Sequence, residues 1–213
     1  MLYFIHPLDD STKFLGDIYN RTIEAIGCDL VTVYTFENES PEDVLKIISS
    51  LPSGANIYFL GHGRADRLYG IMSESNEPFV SPEGMRIFND KNLFTLACNS
   101  TKLLSSSFQY SRIKHSIGFG YLPTSDEEVK AIRNMKNKPV SDADLEEFKR
   151  VIVKCVSDSV IFTYKKGRGF YYLSSQIRLM LYKEMNESVL KNKNSSVANL
   201  IYQVCYQMSY FSN

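Results

Sequence analysis

The sequence lacks an excess of charge of either sign and a long uninterrupted apolar run. Lys and Arg together number 24, as do Asp and Glu, so the formal net charge is zero. Proteins that attract nucleic acid through bulk electrostatics carry a basic excess, and we therefore predict no direct nucleic-acid partner. No stretch of about 18 apolar residues occurs, which argues against a membrane-spanning helix of the usual kind. Function must therefore be argued from particular side chains.

Cysteine is scarce and shows no metal-binding spacing. The four cysteines, Cys28, Cys98, Cys155 and Cys205, are scattered along 213 residues and none forms a C-x-x-C pair, so we predict no zinc site. We also predict no secretory signal, because Met1 is followed directly by an apolar segment with no basic region before it. We therefore expect a cytoplasmic protein whose thiols stay reduced.

Alternation of short apolar runs with segments of helical periodicity predicts the fold class. It indicates an α/β fold with a mostly parallel sheet of five to six strands and helices on both faces. The predicted strands are 2–5, 30–36, 56–60, 92–96 and 115–121. The predicted helices between them are 11–26, 40–51, 81–89 and 100–110, with Asp10 or Ser11 as the cap of the first and Ser40 as the cap of the second.

Beyond Ser141 the apolar residues recur at helical spacing, and we predict three helices without a strand. With 44% hydrophobic residues the chain can bury one sizeable core. We therefore predict a single domain, 1–213, that consists of an α/β core, 1–140, and a helical C-terminal part, 141–213.

Two of the predicted strands are followed by residues whose side chains could take part in catalysis. Asn56–Leu60 is followed by Gly61, His62 and Gly63, and Asn92–Leu96 is followed by Ala97 and Cys98. In an open parallel sheet, ligands bind outside the C-terminal ends of the strands. We therefore expect the imidazole of His62 and the thiol of Cys98 to meet at one edge of the sheet.

A thiol beside an imidazole is typical of nucleophilic catalysis. Cys98 would attack a carbonyl as a thiolate, and His62 would stabilise that thiolate and protonate the leaving amine. We predict Gly63 N–H as the first oxyanion donor and Cys98 N–H as the second, because glycine lets its backbone approach a developing oxyanion. The helix predicted to begin near Ser100 would lower the pKa of the Cys98 thiol.

These motifs resemble those of the caspase-like cysteine peptidases of clan CD, over roughly residues 1–124. Leu60–Gly63 with Leu68–Gly70 is similar to the caspase His-Gly loop, while Leu96–Ser100 is closer to bacterial CHAT-domain proteases. The run Ser116–Tyr121 resembles the strand and specificity loop that follow the cysteine there. The resemblance implies a caspase-like, flavodoxin-like three-layer fold and a His62–Cys98 dyad.

The same resemblance implies an endopeptidase that cleaves a protein substrate without a metal or organic cofactor. It further implies an activating protein partner and a role in bacterial antiviral defence or self-directed proteolysis. Specificity is not carried over, because caspases usually have Gln, and arginine-specific relatives Asp, where this chain has Leu96.

Two features of the sequence bear on which substrate side chain is preferred at the cleavage position. Asp126, Glu127 and Glu128 follow the fifth predicted strand and would favour Lys or Arg if one of them faced the cleft. A pocket floored by Leu96 would instead favour apolar side chains. We expect a neutral or apolar preference, because acids at a helix start already have a structural reason to be there.

Two further interpretations stay open at this point. The chain could be a catalytically inactive caspase-like module that binds a partner through its cleft or its aromatic C-terminal part. A flavodoxin-like small-molecule domain has less support, because no glycine-rich phosphate loop follows the first strand. We predict that His6 and His115, the other two histidines, are structural.

Overall fold

A computed structural model describes residues 1–70, 78–131 and 140–213, without the side chains of Asp126, Glu127 and Ala131. Six strands form one sheet in the order β2, β1, β3, β7, β8, β9. The first five pair in parallel, and β9 is antiparallel to β8. Their bounds are β1 Leu2–His6, β2 Val31–Thr35, β3 Asn56–Leu60, β7 Asn92–Leu96, β8 His115–Gly118 and β9 Ser209–Ser212.

Helices cover both faces of this sheet. They are α1 Gly16–Ile26, α2 Pro41–Ser50, α3 Ser100–Ser107, α4 Asp126–Ala131, α5 Asp142–Lys165, α6 Phe170–Leu190 and α7 Ser195–Gln207. Side chains of α1, α5, α6 and α7 join one hydrophobic cluster, and those of α2 and α3 join the other. The central strands are mostly apolar because successive side chains enter opposite layers: Tyr58 and Leu60 face the first cluster, whereas Ile57 and Phe59 face the second.

The predicted α/β fold with a mostly parallel sheet is confirmed, including the bounds of β3 and β7, and it is compatible with a three-layer arrangement. The cap of α2 is also as predicted, since the Ser40 hydroxyl accepts a hydrogen bond from the Asp43 N–H. Three predicted helices are shorter or of another type. The helix predicted over 100–110 ends at Ser107. The 11–26 segment has a 3₁₀ turn at Lys13–Leu15 before α1, and the 81–89 segment is a 3₁₀ helix, Glu83–Phe88.

Two strand regions were not predicted. Part of the polar loop after Gly63 forms a small antiparallel sheet of β4 Gly63–Arg64, β5 Arg67–Tyr69 and β6 Pro78–Val80. The C-terminal part contains the three predicted helices, but its last residues add β9 to the main sheet. β9 is only four residues long and half-buried, so its own sequence carries little alternation. None of the helices in the described part of the chain is long and apolar enough to cross a membrane.

Candidate active site

The register between β3 and β7 carries His62 and Cys98 to equivalent positions. Leu60 pairs with Leu96, and the Gly61 N–H donates to the Leu96 carbonyl at 3.2 Å. His62 and Cys98 each follow two residues after these paired leucines. Both side chains line the same cavity, as the sequence predicts.

The chain turns sharply after Cys98. Asn99 adopts the left-handed conformation with φ 55°, a region in which asparagine is one of the few tolerated residues besides glycine. The Asn99 N–H donates to the Gly120 carbonyl, and the Ser100 hydroxyl links the Thr95 carbonyl to the Phe119 N–H. The turn is thus fixed from both β7 and the segment after β8.

The Cys98 thiol lies against the backbone of Leu122. It donates to the Leu122 carbonyl at 3.4 Å and accepts from the Leu122 N–H at 3.4 Å. Burial raises the pKa of the thiol to about 11; the Leu122 backbone opposes this shift, while the Glu128 carboxylate adds to it. The sequence-based expectation of a lowered pKa is therefore wrong for this conformation, because desolvation outweighs the dipole of α3, which is only eight residues long.

His62 is held by two residues from the segment after β1. Its Nε2 lies 3.0 Å from Asp9 Oδ1 and 2.9 Å from the Ser11 hydroxyl. The Ser11 N–H and hydroxyl also donate to Asp9 Oδ1, at 3.0 and 2.7 Å. Burial opposes ionisation of Asp9, but the hydrogen bonds from His62 and Ser11 prevail and lower its pKa to about 2. A carboxylate therefore faces the imidazole.

Gly63 packs directly on the turn that carries Cys98. A Cβ at this position would lie 2.8 Å from the Cys98 carbonyl oxygen and 3.0 Å from Ala97 Cβ, so only glycine fits without movement. The Tyr69 N–H donates to the His62 carbonyl, which makes His62 and Tyr69 a hydrogen-bonded pair. Antiparallel pairs alternate, so the next pair, Gly63 and Leu68, is not hydrogen-bonded and the Gly63 N–H points away from β5.

The second predicted oxyanion donor is also unengaged. Within residues 1–70, 78–131 and 140–213, the Cys98 N–H donates to no backbone or side-chain acceptor. The N–H groups of Gly63 and Cys98 are therefore both available, on two chain segments whose backbones approach to contact distance.

A narrow cavity opens beside the thiol. Its volume is about 30 Å³, which is room for one or two water molecules. Beside His62 and Cys98, its lining comprises the apolar side chains of Phe14, Leu15, Leu96, Leu122, Phe148 and Ile152, with Gly61, Thr12, Thr124 and Glu128. The helical C-terminal part thus contributes to the site through Phe148 and Ile152 of α5.

Four residues were candidates for setting the cleavage preference, and the structure describes the side chains of two of them. Leu96 and Glu128 line the cavity. The side chains of Asp126 and Glu127 lie outside the described residues. Glu128 Oε2 accepts from the Thr124 N–H at 2.6 Å and from the Thr124 hydroxyl at 2.8 Å, so the carboxylate is fixed from the segment before α4.

Sequence reasoning missed Asp9, Ser11 and Leu122. The sequence predicts Asp10 or Ser11 as a helix cap, but no helix begins at Ser11 and its hydroxyl contacts His62 instead. For Asp9 the sequence offers only its position just after the first strand; the fold places β1 beside β3 and so brings Asp9 to the same edge as His62. Leu122 carried no chemical signal, because it acts through its backbone.

The other two histidines take part in structure, as predicted. His6 is fully buried and its Nε2 bonds the Thr12 carbonyl at 3.1 Å. His115 Nδ1 bonds the Tyr210 hydroxyl at 2.8 Å, at the end of the sheet opposite Cys98.

Comparison with known proteins does not assign the chain to a family. No protein-family model matches the chain, and no curated protein is significantly similar to it in sequence. Among the described residues, no group of three or more His, Cys, Asp and Glu side chains is placed to hold a metal ion.

Proposed function

We propose that this chain is a caspase-like cysteine endopeptidase of the CHAT type, in which Cys98 is the nucleophile and His62 the general acid and base. The observation that carries the proposal is the placement of both residues two positions beyond the paired Leu60 and Leu96, on one cavity. Neighbouring parallel strands lie about 4.8 Å apart, so groups at their ends are within reach of one substrate.

The mechanism uses groups that the chain itself supplies. His62 accepts the thiol proton, and Cys98 Sγ attacks the peptide carbonyl, with the oxyanion held by the Gly63 and Cys98 N–H groups. His62 then donates the proton to the leaving amine, which releases the first product. Water, deprotonated by His62, displaces the thiol from the acyl-enzyme. Asp9 accepts a hydrogen bond from His62 Nε2 and thereby orients the ring.

Reaction requires the thiol to leave the Leu122 backbone. A thiol with a pKa of about 11 is almost fully protonated at neutral pH, and its hydrogen bond goes to Leu122 rather than to His62. We infer that the described conformation is a resting form and that movement of the segment after β8 brings the dyad together. This fits an enzyme that becomes active when its protein substrate or an activating protein partner binds, as in regulated antiviral defence.

Mutation of Cys98 tests the catalytic proposal. We expect Cys98→Ala and His62→Ala each to lower cleavage of unfolded protein and peptide libraries by roughly 10³-fold or more, because the two residues act as one unit. Cys28→Ala, which removes an exposed thiol far from the cavity, should leave the rate unchanged. Cleavage sites are identified by mass spectrometry, and unfolding in urea should show that Cys98→Ala changes stability by less than about 1.5 kcal/mol. Undiminished cleavage by Cys98→Ala would overturn the assignment.

A non-catalytic binding module is the second candidate, and the raised pKa of Cys98 favours it. The two candidates differ in covalent chemistry. An endopeptidase forms a thioether with peptide chloromethyl ketones at Cys98 in a manner that depends on His62, whereas a binding module gives equal labelling of wild type and His62→Ala.

A further inference from the structure

The cavity beside Cys98 contains a carboxylate with an unused oxygen. Of the described side chains in the lining, Glu128 alone is acidic. Its Oε2 takes both hydrogen bonds from Thr124, at 2.6 and 2.8 Å. Among the described residues, no group donates to the other oxygen, Oε1. The hydrogen bonds from Thr124, at the start of α4, therefore occupy Oε2 and leave Oε1 available to a ligand.

The walls around Glu128 are suited to an aliphatic chain. Six of the lining residues are apolar, contributed by the segment before α1, by β7, by the segment after β8 and by α5. Lys and Arg combine an apolar stem with a charged end, so they pack the stem against such walls while the charge pairs with an acid. An apolar substrate side chain would instead cover the carboxylate and leave it desolvated without a partner, which is costly.

We propose that Glu128 selects a basic substrate side chain, lysine in preference to arginine, at the residue whose carbonyl Cys98 attacks. The proposal rests on the endopeptidase function and names its substrate class. It departs from the apolar preference expected from the sequence, because the sequence could not place Glu128 in the cavity. Leu96, which also lines the cavity, provides part of the wall for the stem.

The small volume of the cavity favours a lysine side chain over an arginine side chain. The cavity volume of about 30 Å³ accommodates one or two water molecules, and an ammonium group is close to a water molecule in size, whereas a planar guanidinium is much larger. The ammonium would replace water beside Glu128, and the stem would lie towards the open mouth. Neutralisation of Glu128 would also remove one of the influences that raise the pKa of Cys98, so that binding of the correct side chain favours the thiolate.

Peptide libraries that differ at this one position test the selection. We expect kcat/KM for lysine to exceed that for norleucine, its neutral analogue of nearly equal length, by about tenfold or more, with arginine between them. In Glu128→Gln the lysine preference should fall to near unity, since Gln keeps an acceptor for Thr124 but has no charge. Glu146→Gln, a change at an exposed acid of α5 outside the cavity, should retain it. Equal rates for lysine and norleucine in the wild type, or an unchanged preference in Glu128→Gln, would overturn the proposal.

Binding of n-butylammonium, the lysine side chain alone, tests the cavity without catalysis. The Thr124 N–H reports on occupancy in ¹⁵N–¹H spectra because it donates directly to Glu128. We expect a saturable shift of this signal with n-butylammonium, and none with n-butanol, with sodium chloride at equal ionic strength, or in Glu128→Gln.

The two experiments separate the proposals. A Thr124 shift, together with equal labelling of Cys98 by peptide chloromethyl ketones in the wild type and in His62→Ala, would refute the endopeptidase function and keep the cation site. Cleavage without a lysine preference, or no saturable shift, would refute the role of Glu128 and keep the endopeptidase.

Discussion

His6 and Asp9, three positions apart at the end of β1, have opposite electrostatic roles. Asp9 stays ionised because hydrogen bonds from His62 and Ser11 favour its charged form. His6 is fully buried, and its Nδ1 is buried without a partner among the described residues. Burial is the dominant influence there and lowers the pKa of His6 to about 4, against a weaker opposing effect of the hydrogen bond to Thr12. His6 is therefore neutral in the folded protein.

The lowered pKa of His6 predicts a loss of stability in mild acid. The unfolded chain takes up a proton at this histidine near pH 6.5, whereas the folded chain does so only near pH 4. Stability from this residue is therefore complete above pH 6.5 and falls as the pH drops towards 4, by about 3 kcal/mol in total. Urea unfolding across this range measures the slope for wild type and for His6→Gln.

The variant separates His6 from the other titrating groups. His6→Gln should be less stable than the wild type at neutral pH but should show a much flatter dependence between pH 6.5 and 4. The contribution of Asp9 belongs to a lower range, because its stabilising effect is present above pH 3.8 and is lost as the pH falls towards 2. Equal slopes for the two proteins would contradict the assignment to His6.

At the scale of elements, the contact between β4 and the turn after β7 holds the candidate site together. Gly63 begins β4 and packs on the carbonyl of Cys98, while the Gly61 N–H bonds the Leu96 carbonyl. The His-Gly segment and the cysteine turn are thus fixed to each other through backbone atoms, which do not move as easily as side chains.

Substitution of Gly63 by alanine is predicted to disturb this contact. The added Cβ would meet the Cys98 carbonyl oxygen at 2.8 Å, so the two segments must separate, at a cost of about 1–3 kcal/mol in the free energy of unfolding. Peptide cleavage should also fall, because the Gly63 N–H moves relative to Cys98. Gly169→Ala is the matched control, since its Cβ would meet nothing within 4 Å and its φ is negative. Chemical unfolding that shows equal stability for both variants would contradict the prediction.

At the scale of the whole molecule, the C-terminal part is joined to the site. β9 pairs with β8, and the Arg178 guanidinium on α6 binds the carbonyls of Cys205 and Met208 at the end of α7. Gln207 Oε1 accepts from the Tyr121 N–H at 2.8 Å, one residue before the Leu122 backbone that holds the thiol. A connection therefore runs from α7 to Cys98.

Removal of the Gln207 side chain is predicted to loosen the hold on the thiol. In Gln207→Ala the Tyr121 N–H loses its protein acceptor, which lowers stability by about 0.5–1.5 kcal/mol and lets the segment after β8 move away from Cys98. Iodoacetamide should then alkylate Cys98 faster than in the wild type, as followed by mass spectrometry of the peptide that contains it. Gln109→Ala, a change at an exposed turn residue, should have no effect. An unchanged rate at Cys98 in Gln207→Ala would show that α7 does not hold this segment.

The sequence by itself determined the central strands, most of the helices and the placement of His62 and Cys98 at one edge of the sheet. These features depend on local patterns: continuous apolar runs mark buried parallel strands, serine and proline mark the start of α2, and strand ends in a parallel sheet share one edge. The bounds of β3 and β7 could be read directly because both faces of each strand are buried.

Only the tertiary structure decided the remaining features, because they depend on contacts between distant segments. β9 becomes a strand by pairing with β8, and its four residues show no pattern that requires one. The raised pKa of Cys98 follows from the burial around it, and Asp9 becomes the partner of His62 only because β1 lies beside β3. Glu128 could be read as a helix-start acid until the fold placed it in the cavity. Burial and the distance between charges are properties of the packed chain, and no local pattern encodes them.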